Sequence, residues 1–310
     1  MLRQTQPGRQ AIAQRQGVVQ RDDTMRDPID PLVRVERWDE SADVVVYPGP
    51  CEFLLPLIPD ESIQLAFSSP PYNIGKSYEK KRSLEDYLAD QRAVIDEVVR
   101  TIRPGGSVGW QVGNHVDRGE VIPLDVLLYP TFVEAGLKLR NRVVWHYEHG
   151  LHAQRRLSGR YETVLWFTKG DSYRFNLDPI RVPQKYPNKR HFKGPKAGQI
   201  SGNPLGKNPG DVWTIPNVKW NHVEKTVHPC QFPVELVERF VLSTTEPGDW
   251  VLDPYGGVGS TVLAAILNGR RGVMAEVAPE FLAIAHERLS DAESGKLRTR
   301  PASRPVYQPK

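Results

Sequence analysis

The sequence predicts an α/β fold, parallel strands joined by helical crossovers, with one long inserted segment. Three observations predict it. The apolar run Ile63-Gln64-Leu65-Ala66-Phe67, a helical repeat through Leu84, Leu88, Ile95, Val98 and Ile102, and the run Ser107-Val108-Gly109-Trp110-Gln111-Val112 make a β-α-β unit. A second unit lies near the C-terminus: strand Trp250-Val251-Leu252, a glycine-rich turn, an apolar helix from Val262 to Leu267, and strand Gly272-Val273-Met274-Ala275-Glu276. Between them, from 171 to 225, Pro, Gly and Asn are scattered and apolar periodicity is lost.

In chain order, residues 1–30 are rich in Gln, Arg and Asp and read as a disordered polar tail. Residues 31–170 form the first half of the domain. A strand Asp43-Val44-Val45-Val46-Tyr47 is closed by Pro48-Gly49-Pro50, and a short helix from Cys51 to Leu57 leads to the strand ending at Ser69. A polar loop from Asn73 to Arg82 follows. Ser83 then caps a helix whose first turn holds Glu85 and Asp86, and Pro104-Gly105-Gly106 stops it. Asn114 and His115 read as a turn-forming pair. A helix from Leu124 to Ala135 and strands Arg142–Tyr147 and Glu162–Thr168 complete this half. Residues 226–292 hold the second half, opened by the helix after Pro233 and ended by a helix from Pro279 to Leu289. Residues 293–310 read as a polar tail.

The chain has 310 residues, 39% of them hydrophobic and 25% charged, so it can bury a sizeable core. Two cysteines, Cys51 and Cys230, cannot build a disulfide framework, and no His/Cys cluster has metal-ligand spacing. Without a signal peptide or an apolar run of membrane length, the sequence predicts a cytoplasmic protein with no membrane partner. The net charge of +4 is unevenly placed. Residues 171–225 hold ten Lys and Arg against four acids, about +6, which leaves the rest near −2. Phe175, Tyr186, Phe192, Trp213 and Trp220 are interleaved with those charges. Basic side chains neutralise phosphates and aromatic ones stack on bases, so this insert predicts a nucleic-acid partner.

Two constellations carry chemistry. Ser69-Pro70-Pro71-Tyr72 follows a buried strand, at the edge where open α/β sheets bind ligands. Asp253-Pro254-Tyr255-Gly256-Gly257-Val258-Gly259-Ser260-Thr261 is a strand–turn–helix whose glycines let a ligand approach the backbone, and Glu276 can accept ribose hydroxyls. No glycine falls three residues after Gly259, so the dinucleotide phosphate fingerprint is missing. Asp253 would repel a pyrophosphate and suits a sulfonium or ammonium cation. These points favour S-adenosylmethionine over NAD and disfavour a nucleotide-dependent oxidoreductase.

The stretch from Asp253 to Thr261 resembles the cofactor motif of amino-group DNA methyltransferases, and Ser69-Pro70-Pro71-Tyr72 resembles their catalytic motif. His228-Pro229-Cys230-Gln231-Phe232-Pro233 is similar to the segment before the cofactor motif. The order, catalytic motif first, resembles the circularly permuted β group, over roughly residues 43 to 290. Tyr255, Val258 and Pro50 depart from the usual residues there.

The resemblance implies a Rossmann-like methyltransferase fold, a mixed but mostly parallel seven-stranded sheet flanked by helices, and S-adenosyl-L-methionine as cofactor. It implies that Asp253, Pro254, Tyr255, Gly256, Gly257, Gly259, Ser260, Thr261, Glu276, His228 and Phe232 bind the cofactor. Ser69, Pro70, Pro71 and Tyr72 would catalyse. The Ser69 side chain and Pro70 carbonyl would hold the hydrogens of an exocyclic amine, and Tyr72 would stack on a flipped base. Double-stranded DNA would be held by Asn73, Lys76, Arg155, Arg156, Arg174, Lys185, Lys189, Arg190, Lys193, Lys196 and Lys207. Ser at the head of the motif and Phe232-Pro233 resemble the cytosine-N4 members; adenine N6 is the alternative. A catalytically degenerate DNA-binding regulator is the reading from another class. A restriction–modification setting with a cognate endonuclease, and a monomer or homodimer, are further expectations. Cys230 does not read as a nucleophile. Glu162 starts a strand near the site, and an ion pair with Arg160 or Lys169 accounts for it equally well.

Overall fold

The computed structural model describes residues 23–73, 82–150 and 152–302. Eleven strands and six α-helices alternate among these residues. The strands are β1 (Arg34–Val35), β2 (Val44–Pro48), β3 (Ile63–Ser68), β4 (Ile102–Val112), β5 (Asn114–Asp117), β6 (Glu120–Pro123), β7 (Lys138–His146), β8 (Tyr161–Thr168), β9 (Val212–Thr214), β10 (Trp250–Asp253) and β11 (Arg271–Glu276). The helices are α1 (Cys51–Leu54), α2 (Leu84–Thr101), α3 (Leu124–Glu134), α4 (Val234–Thr244), α5 (Ser260–Ile266) and α6 (Pro279–Glu293).

The main sheet runs β1-β2-β11-β10-β3-β4-β8-β7-β9. Within it β8 pairs antiparallel with both neighbours, and every other pairing is parallel. Among the described residues the sheet has nine strands, not the expected seven: the seven expected ones form the interior, and the short strands β1 and β9 extend the two edges. Neither edge strand was legible, because two or three residues carry no periodicity. Strand alternation divides the core. Val44, Val46, Leu65, Phe67 and Met274 pack toward α4, α5 and α6. Val45, Ala66, Trp110, Leu252 and Val273 pack toward α1, α2 and α3. Three helices therefore cover each face.

Several expectations change here. Residues 23–30, read as part of a disordered tail, are tied down: Met25 bridges Arg298, and Arg26 pairs with Glu238 at 3.0 Å. Likewise Arg300, in the expected C-terminal tail, is buried against Glu235 at 2.9 Å, so the chain is anchored to α4 through this point. Helix α2 passes directly into β4, and Pro104-Gly105-Gly106 lies inside that strand, where the register with β3 shifts between Ile63 and Leu65. Asn114 and His115 are not a turn but the start of β5, paired with β6 in a two-stranded sheet. The insert is not wholly irregular, since β9 pairs in parallel with β7.

Candidate active site

Because β8 alone is reversed, its N-terminus lies at the same sheet edge as the C-termini of β2, β3, β4, β7, β10 and β11. That edge holds a cavity of about 420 Å³. Its walls come from four stretches: Gly49 to Glu52 after β2, Ser69 to Asn73 after β3, His228 with Cys230 to Phe232 before α4, and Pro254 to Val258 after β10. Glu276 and Phe281 close one end, and Tyr87 and Gln91 of α2 lie at another. The two motifs, almost two hundred residues apart in sequence, thus share one cavity.

Backbone conformation explains the glycines of the turn. Gly257 has φ +53°, the left-handed region that favours glycine, and a Cβ there would stand 3.3 Å from His228 Nε2. A Cβ on Gly256 would lie 2.5 Å from the Met274 side chain. The Gly257 amide donates to Glu276 Oε2 and the Ala278 amide to Oε1, both at 2.8 Å, which fixes the carboxylate facing the cavity. Burial nonetheless raises the Glu276 pKa above its ordinary value.

Of the expected cofactor residues, Pro254, Tyr255, Gly256, Gly257, Ser260, Glu276, His228 and Phe232 line the cavity; Asp253, Gly259 and Thr261 do not. Asp253 is turned into the sheet, where Ser68 Oγ donates to its Oδ1 at 2.6 Å and the Tyr255 amide at 3.1 Å. Its Oδ2 has no hydrogen-bond partner among the described residues. Burial, helped by the charge of Glu276, pushes this carboxyl up to about 6. Thr261 Oγ1 donates to the Phe67 carbonyl at 3.3 Å. His228 packs edge-on to Phe281 with centroids 4.4 Å apart, and burial with nearby Lys225 and Arg288 pushes it down to about 4, so it is neutral. Tyr255 turns its hydroxyl to Gln91, whose amide donates at 3.1 Å.

These residues fit S-adenosylmethionine. Burial raises both carboxyls and the charge of Glu276 adds to the shift of Asp253; a cation near them favours their ionised forms. Glu276 keeps lone pairs for ribose hydroxyls.

At Ser69-Pro70-Pro71-Tyr72, Ser69 Oγ is 2.9 Å from the Tyr72 hydroxyl, which donates to Glu162 Oε2 at 3.1 Å. The Tyr147 hydroxyl donates to Glu162 Oε1 at 3.2 Å, and Gln111 also donates to Oε2. Burial raises the pKa of Glu162 and of both tyrosines. Glu162 therefore belongs to the site. Lys169, weighed as its ion-pair partner, instead pairs with Glu61 at 3.3 Å. Gly113 makes room for this cluster: a Cβ there would lie 3.1 Å from the Tyr72 ring. The sequence already placed Glu162 near the site; Tyr147, one residue past the C-terminus of β7, follows from the ordinary sheet-edge rule and was missed.

The expected DNA contacts divide. Asn73 is buried and lines the cavity: its amide donates to the Arg82 carbonyl at 2.9 Å and its Oδ1 accepts from the Arg82 amide at 2.7 Å. Lys76 lies outside the described residues. Arg174 sits at the opposite sheet edge, ion-paired with Glu246 beside Gln64 and Arg103, because the antiparallel β8 delivers the chain there. Arg155, Arg156, Lys185, Lys189, Arg190, Lys193, Lys196 and Lys207 are exposed. Of the insert aromatics, Trp213 is core, packed on Phe240 with the Arg239 guanidinium over its ring, and Phe175 packs on Trp166. Tyr186, Phe192 and Trp220 are exposed.

Comparison with known proteins agrees with this geometry. The model of the N6/N4 DNA methylase family matches residues 63–287. The chain belongs to this family. Type II methyltransferase M.BglII of Bacillus subtilis is 51% identical over 246 residues, covering 79% of this chain and 68% of that protein. The DNA adenine methyltransferase YhdJ of Escherichia coli K12 is 31% identical, over 83% of this chain and 85% of its own length. PvuII DNA methyltransferase, described as cytosine-N4-specific, shares the fold with TM-score 0.64 at 21% identity, covering 86% of this chain and 95% of that structure. The protein TTHA0409 of Thermus thermophilus, solved with S-adenosyl-L-methionine, has TM-score 0.58 at 27% identity, covering 81% of this chain and 96% of that structure.

Proposed function

We propose that this DNA methylase is a site-specific type II enzyme of a restriction–modification system. It transfers a methyl group from S-adenosyl-L-methionine to the exocyclic N4 of a flipped cytosine in double-stranded DNA. The observation that carries the reading is the single cavity shared by Ser69 to Asn73 and the turn from Pro254 to Val258 beside Glu276. Once bound, the cofactor supplies an electrophilic methyl group. The chain's own residues do the rest. Glu276 would hold the ribose, and the buried Asp253 would set a negative potential suited to a cation. Ser69 Oγ and the Pro70 carbonyl accept the hydrogens of the target amine and turn its lone pair toward the methyl group. Tyr72 offers its ring to the extruded base, which cannot be reached inside a duplex.

Residues 171–225 serve as the target-recognition segment, with Lys185, Lys189, Arg190, Lys193, Lys196 and Lys207 on phosphates and Arg155 and Arg156 beside the site. The order of motifs supports the permuted β arrangement. Adenine N6 is the second reading, favoured by the similarity to the E. coli adenine enzyme. Digesting methylated DNA to nucleosides and identifying the product by mass spectrometry separates the two; a methyladenosine product overturns the cytosine assignment. Ser69→Ala is expected to lower methylation by about 100-fold or more while leaving cofactor affinity within about twofold. A fully active variant removes Ser69 from the mechanism.

A further inference from the structure

A serine at the head of the catalytic motif brings a neutral hydroxyl to an amine that must lose a proton. The hydrogen bonds around it run in one direction. Tyr72 spends its only hydroxyl hydrogen on Glu162 Oε2, so in the 2.9 Å contact between Ser69 and Tyr72 the serine is the donor. Both lone pairs of Ser69 Oγ are then free to accept from the cavity. Tyr147 and Gln111 complete a set of three donors on the Glu162 carboxylate. The groups facing this cluster from neighbouring elements are Lys219 after β9, which acts on Glu162, and Arg160 and the Cys230 thiol, which act on Tyr147; Cys230 also acts on Tyr72. Burial outweighs them and raises Glu162 above its ordinary value, which makes the carboxylate a better proton acceptor.

We propose that Glu162 is the carboxylate of the transfer site, coupled to the target amine through Tyr72 and Ser69 and receiving the proton that the amine releases. The inference rests on Ser69 holding the target amine. As the nitrogen–methyl bond forms, the carbon–sulfur bond breaks and its electron pair stays on sulfur. The amine proton passes to Ser69 Oγ, the serine proton to Tyr72, and the tyrosine proton to Glu162, which returns it to solvent. Every intermediate group ends with the protons it began with. The motif thus obtains from β8, two hydrogen bonds away, the carboxylate that its own first residue lacks.

The test measures single-turnover methylation of a duplex across pH. Glu162→Gln keeps the shape and is expected to lower the rate about 100-fold or more and to remove the acid limb of the profile. Tyr72→Phe should give a similar loss, and the double variant no further loss, because the two act in one chain. Cofactor affinity should stay within about twofold. In the cofactor-free wild type, carbon-13 NMR of the Glu162 carboxyl should titrate above the ordinary glutamate range. Should Glu162→Gln fail to fold by thermal melting, Tyr72→Phe and the NMR titration decide. Glu162→Gln with a wild-type rate and an unchanged acid limb overturns the relay, as does an ordinary Glu162 titration. An active Ser69→Ala defeats the underlying site reading; an inactive Ser69→Ala beside an unaffected Glu162→Gln defeats the relay alone.

Discussion

Asp253 shows how one residue ties stability to binding. Its folded-state pKa, about 6, lies above the ordinary 3.8, so folding favours its protonated form. The stabilising contribution of that protonated form is complete below 3.8 and is lost as pH rises through 6, a swing of about 3 kcal/mol. The raised Glu276 acts in the same direction. A cation in the cavity reverses the preference. Cofactor affinity is therefore expected to weaken as pH falls through 6, with proton release on binding measurable by calorimetry in buffers of different ionisation enthalpy. Asp253→Asn should flatten both the affinity profile and the difference in urea stability between pH 5 and pH 8. Gly257 is decided by backbone geometry. Gly257→Ala must hold φ near +53° and crowd His228, so it should reduce cofactor affinity about tenfold or more in the same calorimetric assay.

At the scale of elements, the insert divides into a docked part and an exposed part. Its strand β9 extends the sheet beside β7 and buries Trp213 against Phe240, whereas Phe192 stands 97% exposed. Trp213→Ala is expected to destabilise the fold by about 3–5 kcal/mol in urea titration. Phe192→Ala should leave stability within ~0.5 kcal/mol. If Phe192 stacks on a base, it should also weaken DNA binding by about 1–3 kcal/mol. After β3, Asn73 is expected to contact DNA, and its side chain bonds both backbone groups of Arg82. Short polar side chains make such local bonds readily, and sequence cannot say which one is made.

For the whole molecule, charge and topology cooperate. No described helix is long and apolar enough to cross a membrane. The net +4 is concentrated in one exposed segment, so DNA affinity should fall steeply with salt. Replacing Lys189, Lys193 and Lys196 together by Ala should lower the slope of log affinity against log salt by about 3, with cofactor binding unchanged; an unchanged slope removes them from the phosphate contacts.

The sequence by itself determined the seven interior strands, the two β-α-β units and the residues of both motifs. Strand alternation, helix periodicity and glycine-proline punctuation are local, and each element carries its own record of the face it buries. Only the tertiary structure decided that Ser69, Glu276, His228 and Tyr255 line one cavity, and that Asp253 stands behind its wall. It also decided that Arg174 belongs to the far edge, and that Glu162, which the sequence placed near the site, is hydrogen-bonded to Tyr72 instead of paired with Lys169. The physical reason is the direction of a single strand. β8 runs antiparallel between two parallel neighbours, which carries its first residue to the active edge and its last to the opposite one. Direction is a property of pairing between distant segments, and no stretch of sequence holds it.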